Sequence, residues 1–285
     1  MAREVHKNTL LLGATAIVCA AALYQGLTLR RVTLPTDKLP RGSCLRIVLL
    51  SDLHGTLYGR QQQQLVAVVA AQKPHLILLT GDIFDEVHPH TAAQQLLWGI
   101  RNIAPAYCVA GNHEYFCRGV DSVLQKLQKH GATLLSDGYK KCVIGGVPLV
   151  IAGAEDPARN IFYDRAYTPE AAMAKAFSDL GEQPGYRILL SHRPDRIDLY
   201  RQYPFDLVVS GHAHGGQLRI PFLLNGLVAP NQGLFPPYAG GLYRHGDLCH
   251  VVSRGLSRIP LLPRVFNPPE VVAITVLSNA AANRR

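Results

Sequence analysis

Residues 45–54 read Leu-Arg-Ile-Val-Leu-Leu-Ser-Asp-Leu-His. The first six are apolar and partly β-branched apart from Arg46, the pattern of a strand buried on both faces. Asp52 and His54 then stand at its end, alternate residues of an extended segment that point the same way. The same grammar recurs along the chain. The run at 76–79 ends in Thr80-Gly81-Asp82, 106–110 in Gly111-Asn112-His113-Glu114, 187–190 in Ser191-His192, and 206–209 in Ser210-Gly211-His212-Ala213-His214. Helical patterns at 60–72, 91–101 and 119–130 alternate with the first of these runs, which predicts a parallel βαβ core. Shorter strands at 132–135, 139–144 and 147–152, joined by tight turns, predict an antiparallel or mixed portion, and a further helix is expected near 169–180. Donors from five separated segments converge only if the strands lie side by side and end together, at the sheet edge where α/β folds place ligands.

The 285 residues suffice for one large domain, and because the motifs span most of them a single catalytic domain over 45–277 is expected. Hydrophobic residues at 48% with aromatics at only 7% suit aliphatic strands packed on helices and exclude a disordered or fibrous chain. A net charge of +9 favours anionic partners, phosphate esters and acidic headgroups among them. No basic stripe interleaved with aromatics accompanies it, so nucleic acid is not an expected partner. The cysteines Cys19, Cys44, Cys108, Cys117, Cys142 and Cys249 form no C-x-x-C pair and read mostly as small buried hydrophobes, with a mild lean toward a reducing compartment.

From Thr9 to Leu29 the chain carries no charge. A single-pass transmembrane anchor over 9–29 is expected after a short tail at 1–8, against a signal peptide cleaved near Ala20-Ala21-Ala22 or a buried core helix. Arg30, Arg31, Lys38 and Arg41 outweigh Arg3 and Lys7, which leans the catalytic domain to the cytoplasmic side. Residues 30–44, with Pro35, Pro40 and Gly42, read as a linker, and 278–285 as a tail.

Asp, Asn and His without cysteine suit manganese, iron, zinc or magnesium rather than a structural thiolate site. A single ion does not need so many donors. Two ions about 3.5–4 Å apart, sharing a carboxylate, do, and that arrangement hydrolyses phosphate esters. Taken singly each motif is weak, since a lone histidine is more often a satisfied polar residue than a ligand. In order, each after a strand, they reinforce one another. His75, His88, His90, His130, His245 and His250 lack such placement and read as structural. Arg193 and Glu155 suit either a substrate phosphate or a salt bridge. Between Gly215 and Leu242 the only charge is Arg219, amid Phe222, Leu223, Leu224, Leu227, Phe235 and Tyr238. So apolar a loop suits a wall for a lipid-bearing substrate, a membrane surface, or plain core packing.

The strings SDLH, GD, GNHE, SH and GHAHGGQ resemble the signature of the calcineurin-like metallophosphoesterase superfamily, and GGQLRIP, VVSRGL and FNPPEVV resemble its YkuE/YaeI-like, often membrane-associated branch, over about residues 32–277. The resemblance implies an α/β metallo-dependent phosphatase fold, two mixed β-sheets sandwiched between helices. It implies that Asp52, His54 and His214 hold one divalent ion, that Asn112, His192 and His212 hold a second, manganese foremost, and that Asp82 bridges them. It casts His113 as general acid, oriented by Asp85, although a loop aspartate capping the next turn looks the same. The activity expected is metal-dependent hydrolysis of a phosphodiester or pyrophosphate, lipid-linked or not, by a hydroxide held between the ions. UDP-2,3-diacylglucosamine pyrophosphate cleavage is the enzymatic alternative. A non-catalytic binding module on the same fold is the alternative of another class, and the intact donor set speaks against it.

Overall fold

The computed structural model describes residues 13, 15–258 and 264–279. Its strands are β1 (Thr28–Thr36), β2 (Cys44–Leu50), β3 (Leu76–Thr80), β4 (Ala106–Val109), β5 (Ala132–Leu134), β6 (Gly138–Ile144), β7 (Val147–Ala154), β8 (Tyr186–Ser191), β9 (Leu207–Ser210), β10 (Val228–Ala229), β11 (Gly233–Leu234), β12 (Gly241–His245), β13 (Leu248–Val252) and β14 (Glu270–Ser278). Two six-stranded sheets result, ordered β1-β14-β2-β3-β4-β5 and β12-β13-β9-β8-β7-β6, with β10-β11 a separate ribbon. Strands β2 to β5 are mutually parallel, as are β7, β8, β9 and β13, while β14 against β2, β6 against β7 and β12 against β13 are antiparallel. Of the mixed portion expected beyond residue 131, β5 extends the first sheet parallel to β4, whereas β6 and β7 form an antiparallel pair in the second sheet.

The two-residue period of the strands divides the core. Ile47 and Leu49 of β2 pack with Leu76 and Leu78 of β3 against Ile151, Ile188, Leu190 and Val209 of the facing sheet. Their neighbours Val48 and Leu50 turn outward with Ile77 and Leu79 onto Leu65, Val69, Leu96 and Leu97 of the helices Gln63–Ala71 and Thr91–Ile100. On the far side Val150, Leu189 and Val208 meet Met173, Phe177 and Tyr200. Burial of both faces explains the unbroken apolar runs. The fold is therefore the two-sheet sandwich flanked by helices that the motifs implied.

Of the N-terminal expectations, the linker needs correction. Among the described residues no helix is long and apolar enough to cross a membrane. Residues 15–22 are helical, and residues 9–12 and 14 of the expected 9–29 span lie outside the described residues. The linker expected over 30–44 is mostly strand, because β1 joins the edge of the first sheet parallel to β14. Pro35 is tolerated there because an edge strand is paired on one side only. Arg30 fixes the strand by a fork onto the buried Glu270, with Nε and Nη2 donating at 2.9–3.1 Å. Ser278, read as the start of a tail, closes β14.

Candidate metal centre

Each donor motif begins where a strand stops. Asp52 and His54 follow β2, Asp82 follows β3, Asn112 opens the short helix after β4, His192 follows β8, and His212 and His214 follow β9. The first sheet thus supplies four of these donors and the second sheet three. Three groups have ligand atoms within 4.8 Å of one another: Asp52, His54 and His214; Asp82, His192 and His212; and His54, Asp82 and His113. Asn112 joins the second, its Oδ1 lying 3.1 Å from His192 Nε2. All seven expected ligands are together, and Asp82 lies between the two clusters.

The backbone bends sharply to achieve this. Asp52, His54, Asp82, His212 and His214 all have left-handed φ, between 43° and 65°. That region is sparsely used by residues other than glycine and persists only where the surroundings enforce it. Gly81 makes room for it with φ +82°, and a Cβ there falls 2.6 Å from Gly111 N and 2.8 Å from His192 Nδ1.

A layer of hydrogen bonds aims the side chains. Thr80 carbonyl accepts from His192 Nδ1 at 2.7 Å, which turns Nε2 inward to 3.0 Å from Asp82 Oδ2. His212 has Nδ1 3.0 Å from His192 Nε2, and its Nε2 donates to Asn231 Oδ1 at 2.8 Å. His214 is held through Nδ1 by Ser257 Oγ at 3.0 Å. Asp52 accepts from the His212 backbone N–H at 3.0 Å, and Asp82 Oδ1 from that of His113 at 3.0 Å. Partners on the outer atoms of ligating groups are what fixes ring orientation in metal sites.

Two residues with positioning roles escaped the sequence reading. Glu114 is fully buried and accepts from the backbone N–H groups of Asp82, Ile83, Phe84 and Gly111 at 2.8–2.9 Å, tying the Asp82 loop to the Asn112 helix. Glu86 accepts from His113 Nδ1 at 2.8 Å. Asp85, expected there, instead caps the next turn through the Val87 and His88 N–H groups and lies 3.4 Å from His54 Nδ1. The GNHE string held the signal for Glu114, whereas one residue of turn geometry separates Glu86 from Asp85. Glu155 is also outside the centre, buried against Tyr115 and near Arg159.

Electrostatics and orphaned atoms show whether cations suit the site. His54 Nε2 is buried without a hydrogen-bond partner, and an unsatisfied buried polar atom costs about 1–3 kcal/mol. Burial favours the neutral acid of Asp82, but neighbouring His192 overrides it and holds the carboxyl well below the usual range. Burial likewise opposes charge on His192, yet Asp82 pushes it up to about 10. His212, buried and beside His192, is pushed down to about 3. An ionised carboxylate with unpaired lone pairs, ringed by imidazoles and an amide oxygen, fits divalent cations.

A cleft of about 430 Å³ opens over these donors, lined by Asp82, Asn112, His113, Arg193, His212 and His214 on one side and by Phe116, Ile161, Phe162 and Pro230 among others. Arg193 is anchored by a fork to Asp195, Nε and Nη2 donating at 2.9 and 3.0 Å. His88 lies on Asp85, His90 faces Lys126, and none of the six histidines read as structural joins a donor group among the described residues. The cysteines are all free.

A two-sheet sandwich with Asp, Asn and His gathered at its strand ends fits a metal-dependent phosphoester hydrolase, and residues 45–216 match the calcineurin-like phosphoesterase model. The chain belongs to that family, whose members typically depend on a dinuclear metal centre. It is similar to the metallophosphoesterase YkuE of Bacillus subtilis, 28% identical over 254 residues that cover 86% of this chain and 84% of that protein. A metallophosphoesterase of Aquifex aeolicus is 30% identical over 88% of this chain and 92% of its own. The Danio rerio transmembrane protein with metallophosphoesterase domain is 30% identical, and this chain spans 56% of its length. In fold it is like the sulfate thiohydrolase SoxB of Thermus thermophilus, with TM-score 0.52 and 15% identity over 84% of this chain and 57% of that one.

Proposed function

We propose that the chain is a membrane-attached phosphoesterase that cleaves a phosphodiester or pyrophosphate with two divalent ions. The observation that carries the reading is the pair of donor clusters meeting at Asp82 on the floor of a cleft that also holds His113. Asp52, His54 and His214 would hold one ion, Asn112, His192 and His212 the other, and Asp82 both. Bound there, the ions supply a lowered water pKa and neutralise charge on the phosphate oxygens, with manganese the first candidate.

The side chains do the rest. Glu86 accepts from His113 Nδ1, so Nε2 is the nitrogen that gives its proton to the departing oxygen. Arg193, held by Asp195 and with Nη1 3.9 Å from Asp156 Oδ1, lines the cleft where it would meet a phosphate oxygen. Asp85 steadies His54. Arg193 is the single Arg or Lys among the described residues lining the cleft, which favours a singly charged diester over a monoester dianion. The apolar wall of Phe116, Ile161 and Phe162 supports a substrate with an apolar group beside the phosphate, and so keeps the UDP-2,3-diacylglucosamine type of pyrophosphate as a second reading. Membrane attachment rests on the uncharged stretch 9–29 and accords with the name of the Danio rerio relative.

The test is the full chain in detergent, analysed for metal and assayed with added manganese on bis(p-nitrophenyl) phosphate, p-nitrophenyl phosphate and UDP-2,3-diacylglucosamine. Two ions per chain and diester or pyrophosphate turnover that Asp82→Asn abolishes are expected. Substoichiometric metal with no turnover on any of the three overturns the reading.

A further inference from the structure

Among the described residues the two most exposed large apolar side chains, Phe222 and Leu223, sit in the loop after the last donors, and Leu234 and Phe235 follow in the same loop. Phe222 is fully exposed, Leu223 is 81% exposed, and Leu234 and Phe235 are 67% and 65% exposed. Phe222 and Phe235 also hold left-handed φ of 67° and 55°, an outlier conformation for bulky residues that no burial of their rings offsets. These tips protrude, so they do not form a groove for a peptide.

The base of the loop shows what lies beside it. Leu218 is bridged to Val265, and Arg219 N donates to Val265 carbonyl at 2.9 Å. The next residue, Phe266, donates its N–H to Ala22 carbonyl at 2.7 Å, and Gln25 Nε2 donates to Arg264 carbonyl at 2.7 Å. The strip Arg264–Phe266 therefore joins the apolar loop to the end of the N-terminal helical residues 15–22, whose Ile17 and Val18 are exposed, as are the following Leu23 and Tyr24. The loop, uncharged but for Arg219, and the apolar residues 15–24 thus lie beside one another on the molecule, and the whole chain carries a net +9.

We propose that the loop at 218–235 docks on an anionic lipid bilayer beside the N-terminal segment, with Phe222, Leu223, Leu234 and Phe235 entering the headgroup and acyl boundary. A convex apolar tip continuous with an apolar terminal segment, on a basic protein, is the surface such a membrane interface recognises. Pro230 and Asn231 of the same loop line the cleft, so the cleft mouth opens beside the docked face. The inference rests on membrane attachment through the N-terminal segment to bring the loop to the bilayer.

The chain's single tryptophan, Trp98, makes the test direct. The full chain carrying Trp98→Phe and Phe222→Trp is reconstituted with vesicles of equal parts phosphatidylcholine and phosphatidylglycerol, floated on a gradient, and titrated with lipids brominated along the acyl chains. Because residue 222 is fully exposed and Trp98 is 59% exposed, neither change threatens folding. The introduced indole is expected to shift to the blue and to be quenched about two-fold or more, as at a depth of about 5–10 Å. Hydrolysis of bis(p-nitrophenyl) phosphate in detergent is expected to stay unchanged. A chain that floats while its indole keeps a water-exposed, unquenched spectrum overturns the docking and leaves the attachment standing. A chain that does not float overturns both, and an indole buried instead by self-association without lipid overturns the docking in favour of a second copy.

Discussion

His113 has one nitrogen engaged by Glu86 and one face against the His54 ring, with centroids 4.6 Å apart. In the proposed mechanism the two contacts separate its roles: Glu86 sets the orientation, and the ring carries the proton. His113→Ala is therefore expected to lower kcat about 10²- to 10⁴-fold. Metal content should hold, because all seven expected ligands remain. Glu86→Gln should cost less, about tenfold in kcat, since a glutamine oxygen still accepts from Nδ1 but no longer stabilises the charged ring. Asp85→Asn should leave the pH profile of kcat in place and weaken metal retention through His54. Kinetics with metal analysis of the three variants checks the assignment, and an Asp85→Asn profile matching that of Glu86→Gln would return the orienting role to Asp85.

At the scale of elements, β1 had the weakest signature in the sequence and holds a place in the first sheet. Its run Thr-Leu-Arg-Arg-Val-Thr-Leu-Pro-Thr mixes cations and proline with apolar residues, which resembles a linker, and its partner β14 lies some 240 residues away. No local pattern reports so distant a pairing. The same holds for Glu86 and Asp85, where the conformation of one turn decides which carboxylate meets His113. By contrast β2, β3, β4, β8 and β9 were legible, because strands buried on both faces must be apolar throughout and their ends are marked by Asp, Asn and His. The consequence for handling is specific. A chain begun at residue 32 loses Arg30 and leaves the buried Glu270 with Arg254 alone, 3.4 Å away. Breaking a buried pair costs about 3–5 kcal/mol, so this truncation should unfold at clearly lower urea than one begun at residue 25. Equal midpoints in the two denaturation curves would show β1 to be dispensable.

At the scale of the whole molecule, the centre is where the two sheets meet. Ion binding should stabilise the folded chain by about 3 kcal/mol at a hundredfold excess over Kd, which raises Tm by about 5–10 °C for a domain of this size. Chelation should reverse the rise. The pH dependence follows from His192: held up at about 10 by burial-resistant attraction to Asp82, it is protonated without ions and must release that proton to become a ligand. Metal affinity should therefore fall as pH falls, and calorimetry in buffers of different ionisation enthalpy should find protons released on loading. Proton uptake would contradict the arrangement.

Neither cluster draws its donors from one sheet. His214 comes to Asp52 and His54 from across the sandwich, as His192 and His212 come to Asn112 and Asp82. On a ribosome this becomes a matter of timing: no ion can find its full donor set before residue 214 has been synthesised, and the first sheet waits longer still, for β14 to insert between β1 and β2. Capture of the ions is thereby scheduled as a late event in the life of the nascent chain, by the order of its strands alone.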